Sequence, residues 1–333
     1  MNTIQSFGVD FILMLQSHQG SIGGLMDVLS LFVKAELAMV FLMPLLFWLV
    51  SPRLLGPLFL LMMFEIMLGD ILKVVLAQPR PFWLSDALLP LDAVTSLYSS
   101  PGGYASFATV FWGALFLQTR KRWTLIVGIP FVLLTSLSKM YHASMAPDHM
   151  LLGVLQGIIV LMLVQRFKDR LTATFLNASV AKLGVIAVGF VGAMYVAIGI
   201  AFWLHSHYQI PLQYLEYKMV PAHRLAGGGI TLAAGLFVGA AIGYKKYVSS
   251  GEYDLSLVSV WHKIMLAVIG LAGMIVIMAV LRPNLAGSAD SRVSEWLFNM
   301  VFSFAAGYWV FYGALSTYLG NFWLPRHKIN SPA

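Results

Sequence analysis

Residues 54–81 read LLGPLFLLMMFEIMLGDILKVVLAQPRP. The stretch opens as an apolar run of the length a helix needs to cross a bilayer, about 20 residues. Glu65 and Asp70 interrupt it, and ionisable groups at such depth mark a polar interior or a pathway. The run then leaves the membrane with Lys73 and ends on Arg80-Pro81. Asp70 precedes Lys73 by three residues, which places it to pair with the ammonium on one helix face. Two cations within about 10 Å along a helical path are costly at a membrane edge unless something anionic sits between them. A guanidinium fork and an ammonium point charge suit phosphate oxygens. Basic side chains that snorkel at a helix end give the same pattern, so this segment alone leaves both readings open.

The rest of the chain agrees with a membrane setting. Of its 333 residues, 59% are hydrophobic and only 11% charged, against roughly 25% charged in a soluble domain. With a mean hydropathy of +0.81, too few charges remain to cover a water-exposed surface. A disordered chain, a nucleic-acid reader and a disulfide-rich secreted scaffold are excluded on the same grounds. The absence of cysteine removes thiol catalysis, disulfides and thiolate metal sites. A net charge of +7 suits a polytopic protein whose basic loops meet anionic lipid.

Nine apolar segments qualify as spans: Ala35–Val50, Leu54–Leu76, Tyr104–Thr119, Trp123–Leu137, His149–Gln165, Leu183–Leu204, Leu225–Gly243, His262–Leu281 and Trp296–Leu319. The expected fold is therefore an all-α polytopic helical bundle. No Lys or Arg precedes Lys34, which argues against a cleavable signal with a basic head. Residues 1–33 read as two short interfacial helices, with a tilted or re-entrant span as the alternative. Residues 34–166 form a core of five spans, 167–182 a polar cytoplasmic connector, and 183–333 an extension of four spans. With nine crossings, thirteen Lys and Arg fall on one side and eight on the other. The richer side, with Arg120, Lys121, Arg122, Lys245 and Lys246, is expected to be cytoplasmic. In the extension Gly235, Gly239 and Gly243 recur every four residues, a stripe that lets a neighbouring helix approach closely.

Two further segments fall on the same side of the membrane as Arg80. The first, Ser99-Ser100-Pro101-Gly102-Gly103-Tyr104-Ala105-Ser106, is a glycine-rich turn opening into a span, and backbone N–H groups at such a helix start can cradle an anion. The second is Ser138-Lys139-Met140-Tyr141-His142-Ala143-Ser144-Met145-Ala146-Pro147-Asp148-His149. In order and spacing the three segments resemble the type 2 phosphatidic acid phosphatase superfamily, the lipid phosphate phosphatases. Its pattern is Lys-x6-Arg-Pro, then Pro-Ser-Gly-His, then Ser-Arg-x5-His-x3-Asp. The resemblance covers about residues 7–166, and the last four spans look like an extension found in some bacterial members. It implies a bacterial cytoplasmic (inner) membrane, and the charge count then has the site facing outward.

Residue by residue, Lys73, Arg80 and Pro81 match the first motif, and the resemblance makes Lys73 and Arg80 phosphate-holding residues; Pro81 supports them, and Asp70, by its spacing, supports Lys73. Pro101 and Gly103 match the second motif, while Gly102 replaces its serine and Tyr104 its leaving-group acid. Ser138 matches the third, and Lys139 stands for its phosphate-binding arginine. Met145 occupies the position of the nucleophilic histidine, and His149 that of the aspartate that orients it. A thioether is a poor phosphoryl acceptor, and a tyrosine with an ordinary pKa of about 10 is a weak acid at neutral pH. The implied anion set is thus Lys73, Arg80, Gly102, Gly103, Ser138 and Lys139, without the usual catalytic pair. His142 or His149 could serve as a substitute nucleophile, although Asp148 is adjacent to His149 in sequence rather than on the same helix face. His142, Asp148 and His149 lack standard metal spacing, and no cofactor is expected. Three functions follow as expectations: a catalytically inactive or accessory protein holding a phosphorylated lipid, alone or with a membrane-protein partner; a phosphatase or phosphotransferase with altered residues; and a phospholipid or polyprenyl-phosphate flippase.

Overall fold

The computed structural model describes residues 3–31, 41–91, 98–204, 222–249, 259–277, 279 and 292–321. Among these residues the regular structure is helical throughout: α1 (Thr3–Ser17), α2 (Gln19–Leu31), α3 (Met43–Leu49), α4 (Pro52–Leu76), α5 (Gly103–Thr119), α6 (Trp123–Tyr141), α7 (Pro147–Asn177), α8 (Val180–Leu204), α9 (Ala222–Ser249), α10 (Val260–Val276), α11 (Arg292–Tyr308) and α12 (Ala314–Asn321). Trp123–Tyr141, Pro147–Asn177 and Val180–Ala201 are each long and apolar enough to cross a membrane. Lys34 and residues 35–40 of the first expected span lie outside the described residues, as do 278, 280 and 281 of the eighth.

Packing divides the chain into two units, the first Met1–Ala35, Glu65–Arg166 and Ala193–Ile230, the second Glu36–Phe64, Phe167–Gly192 and Thr231–Ala333. In the first unit, α1 and α2 lay an apolar face on the loops and helix end that carry the motifs. Val9, Ile12, Leu15 and Met26 join Phe82, Trp83, Tyr98, Met140, Tyr141 and Met145 in one buried cluster. Ile4, Phe7, Met14, Leu25 and Val28 stay exposed on these two helices, apolar surface of the kind that lies against lipid.

The helix ends place the site. After α4 the chain turns at Ala77, which takes the left-handed conformation (φ 45°) and returns its N–H to Lys73 O at 2.9 Å. After α6 it turns at Ala143 (φ 55°), whose N–H reaches Met140 O at 2.8 Å. Helix α6 runs one turn beyond the expected Leu137, so Ser138 and Lys139 belong to its last turn rather than to a loop. Helix α7 starts on Pro147, a residue suited to a first helical position because its missing N–H would be unbonded there anyway. It then continues through Arg166, Lys168 and Arg170 to Asn177. The stretch read as a polar connector is therefore helical up to Asn177, since Arg and Lys are good helix formers where the helix surface is exposed. The chain breaks at Ala178–Ser179, where Ser179 Oγ accepts the Lys182 N–H at 3.2 Å.

The second unit is held by rings and close helix contacts. Trp48 Nε1 donates to Val310 O at 3.0 Å, Trp309 Nε1 donates to Gly270 O at 2.9 Å, and Phe311 packs edge-on against Phe47 and Phe59. The glycine stripe does what its spacing suggests. A Cβ on Gly239 would overlap Phe304 O, and one on Gly235 would overlap Ser303 Oγ and Met300 O, so α9 and α11 touch backbone to backbone. Lys245 caps the end of α7, its ammonium donating to Phe175 O at 2.8 Å and Leu176 O at 2.7 Å, the usual answer to unpaired carbonyls at a helix C-terminus.

Candidate functional site

All of the sequence-expected site residues belong to the first unit. Lys73 leaves α4 in its last turn, with Nζ 3.1 Å from Asp70 Oδ1, the ion pair expected from the spacing. The same ammonium covers the start of α5, because a Cβ built on Gly103 would lie 3.3 Å from it. Gly102, in extended conformation, precedes that helix. Its N–H is engaged within the protein, donating to His149 O at 2.8 Å. A Cβ at 102 would overlap Met145 Sδ and come within 2.8 Å of His149 O, and one on Gly153 would overlap Gly102 O. The methionine sulfur thus fills the volume that a side chain at 102 would need. The two departures from the family pattern, Gly102 and Met145, fit each other.

Lys139 is 1% exposed. Its ammonium donates to Ser30 Oγ at 2.8 Å and lies 4.6 Å from the centre of the Tyr104 ring, a cation–π distance. Arg80 is also buried and donates from Nη1 to Ser144 O at 2.8 Å. Ser99 Oγ donates to the same carbonyl at 2.8 Å and stands 2.9 Å from His149 Nδ1. The Ala146 N–H points at the same Nδ1 at 3.4 Å, so this ring nitrogen stands between a backbone donor and the Ser99 hydroxyl. His149 Nε2 then faces Asp148 Oδ2 at 3.6 Å, beyond hydrogen-bond length. Sequence adjacency does not keep these two apart, since both stand in the first turn of α7. A cavity of about 100 Å³ beside them is lined by Gln5, Gln78, Pro81, Ala146, Asp148 and His149, among others.

The three motif segments therefore meet at the start of α5: Lys73 at Gly103, Lys139 at Tyr104, Met145 and His149 at Gly102. Pro101 follows a cis bond from Ser100 in the same turn, and Pro81 opens a buried one-turn helix, Pro81–Trp83. Ser138 and His142 turn the other way. Ser138 Oγ donates to Met26 O at 2.6 Å. The two His142 ring nitrogens face Ser138 O at 2.6 Å and Asp27 Oδ1 at 3.0 Å. Helix α2 thus supplies Met26, Asp27 and Ser30 as partners of the third motif. Sequence reading missed this role, and that of Ser99 with it, because partners so far apart in the chain leave no local pattern.

Two family models match the chain. The PAP2 superfamily matches residues 54–173, and the PAP2 superfamily phosphatase, transmembrane extension, matches residues 231–320. Together they cover more than half of the 333 residues. The protein is an integral membrane protein with a phosphatase-like helical fold, and it belongs to the PAP2 superfamily. No curated protein and no solved structure matches the chain.

Proposed function

We propose that the protein binds a phosphorylated lipid head group at the outer membrane face and does not turn it over, acting as an accessory protein or as part of a complex. The observation that carries this reading is the meeting of Lys73, Lys139 and the glycine turn at the start of α5, with Met145 at the position that the motif resemblance gives to a nucleophile. Lys73 stands over Gly103, its ammonium 3.3 Å from where a Cβ at that residue would lie, so cation and helix start can act on one anion. Arg80, with its fork geometry, completes the set. The Met145 thioether has no proton to lose and forms no phosphoryl intermediate. Tyr104 lies against the Lys139 ammonium, which makes the ring a neighbour of the cation rather than an acid.

A second reading, an enzyme with a relocated nucleophile, draws support from His149. Its Nδ1 is oriented by Ser99 and its Nε2 faces Asp148 at the cavity wall. Phosphate release from phosphatidic acid and from polyprenyl pyrophosphate separates the two. Purified protein is expected to retain the lipid phosphate and release none. Turnover abolished by His149→Ala would give the assignment to the enzyme. The outward orientation follows from the charge count and is tested by single cysteines, the chain having none of its own. A membrane-impermeant thiol reagent added outside intact cells should label Ser85→Cys and spare Thr119→Cys; the reverse pattern inverts the topology.

A further inference from the structure

Below the cationic cluster the first unit contains a second polar group that the proposed function does not use. Glu65 of α4 is 2% exposed. Ser106 Oγ of α5 donates to its Oε1, and Gln156 Nε2 of α7 donates to the same oxygen at 2.7 Å. Two atoms of the trio, Glu65 Oε2 and Gln156 Oε1, are buried and have no hydrogen-bond partner. Both are acceptors when the carboxyl is ionised. An ionised Glu65 would therefore leave a charge and an amide oxygen buried in an apolar bundle, with no donor for either.

One proton satisfies both. A hydrogen on Glu65 Oε2 converts that atom to a donor, and the acceptor waiting on the same partner side chain is Gln156 Oε1. The amide N–H then bonds the acid carbonyl, and the acid O–H bonds the amide carbonyl. We propose that Glu65 and Gln156 form a proton-binding acid–amide pair inside the membrane-spanning bundle, in which Glu65 holds one exchangeable proton at neutral pH. The binding step is balanced by itself: carboxylate plus proton gives acid, with no other reactant. Ser106 and Gln156, the groups facing it from α5 and α7, do not titrate. On its own helix the charged neighbour is Lys73, eight residues on and about 12 Å along the axis, already bonded to Asp70 at 3.1 Å. Loss of the proton would place a negative charge under Lys73, so the pair also sets the net charge beneath the cationic cluster.

Infrared spectroscopy on the full chain in lipid nanodiscs tests this directly. At neutral pH the wild-type spectrum should contain a protonated carboxylic acid C=O stretch that shifts in D2O and is lost in Glu65→Gln. A Glu65→Gln difference spectrum that loses only carboxylate stretches overturns the proposal. Gln156→Leu is the second variant, which takes away the amide acceptor. It should move the acid C=O stretch to the higher frequency of a weaker hydrogen bond, a change that an ionised Glu65 could not show. Thermal midpoints give a further readout. Glu65→Gln should unfold at the wild-type temperature, because the new amide supplies the same donor and acceptor. A clear rise would mean that a buried charge had been removed, and would also refute the pair.

Discussion

The two units bury different chemistry. The first buries Glu65, Arg80, Lys139, His142, His149 and Gln156, together with a series of serines. The second buries rings and small residues, and its buried polar side chains are Thr231, Lys245 and Ser303 among the described residues. Its cation is accounted for by the helix end it caps. Packing alone explains the second unit, since glycine-to-backbone contacts and aromatic edges are how apolar helices associate in lipid. Packing does not explain the first. Ionisable groups inside a membrane bundle are costly and are kept where they bind something. The division between a binding unit and a packing unit is therefore a statement that mutations can break.

The largest expected effect is on binding. Replacing Lys73 and Arg80 together by alanine should lower retention of phosphatidic acid by about 100-fold or more, read by native mass spectrometry of the detergent-purified protein. Hydrogen bonds to charged groups are worth about 1.5–3 kcal/mol each, and about 1.4 kcal/mol is a factor of ten. Retention unchanged in this variant would remove the anion site and, with it, the contrast between the units.

Next comes a substitution that should affect stability alone. In the second unit Gly239→Val drives a methyl-bearing Cβ into Phe304 O, and backbone cannot move aside as a flexible side chain can. Overpacking of this kind costs about 1–3 kcal/mol, seen as a fall of several degrees in the midpoint of thermal aggregation. Gly189→Val is the control, because nothing lies within 4 Å of a Cβ at that position. Lipid retention by the folded fraction should equal wild type in both. A loss of retention in Gly239→Val would show that the second unit shapes the site as well as packing.

Much of this was readable in the sequence, and the failures have identifiable causes. Apolar runs marked the helices because only a helix satisfies its own backbone in lipid. The motifs could be placed because Lys73, Arg80 and Pro147 hold their spacing, and the Asp70–Lys73 pair because it is local. The end of α4 was legible, since Leu76 closes both the expected span and the helix, but the end of α6 was not. Chains often leave a helix through a left-handed glycine, whereas after α6 Ala143 takes that conformation, so nothing in the sequence marks the turn. The partnership of α2 with the third motif is long-range and left no periodic trace. Neither did the fit between Gly102 and Met145. As separate letters they are two losses; in space one fills the other's room.

The smallest effect is expected where the first unit meets water. Asp27 accepts from His142 Nε2 at 3.0 Å, but its side chain is 69% exposed while the imidazole is 5% exposed. Solvent screens such a pair to about 1 kcal/mol or less, and an asparagine at 27 still offers an oxygen in the same place. The other ring nitrogen keeps its short contact with Ser138 O at 2.6 Å, so the imidazole should stay oriented when the carboxylate is gone. Asp27→Asn is therefore expected to shift the thermal midpoint by no more than a few degrees and to leave lipid retention at the wild-type level. Helix α2 has a second hold on the same segment through Ser30 and the buried Lys139, which the substitution does not touch. If Asp27→Asn nevertheless abolished retention, the anion cluster would depend on the charge of α2, and the boundary of the binding site would move outward to include the N-terminal helices.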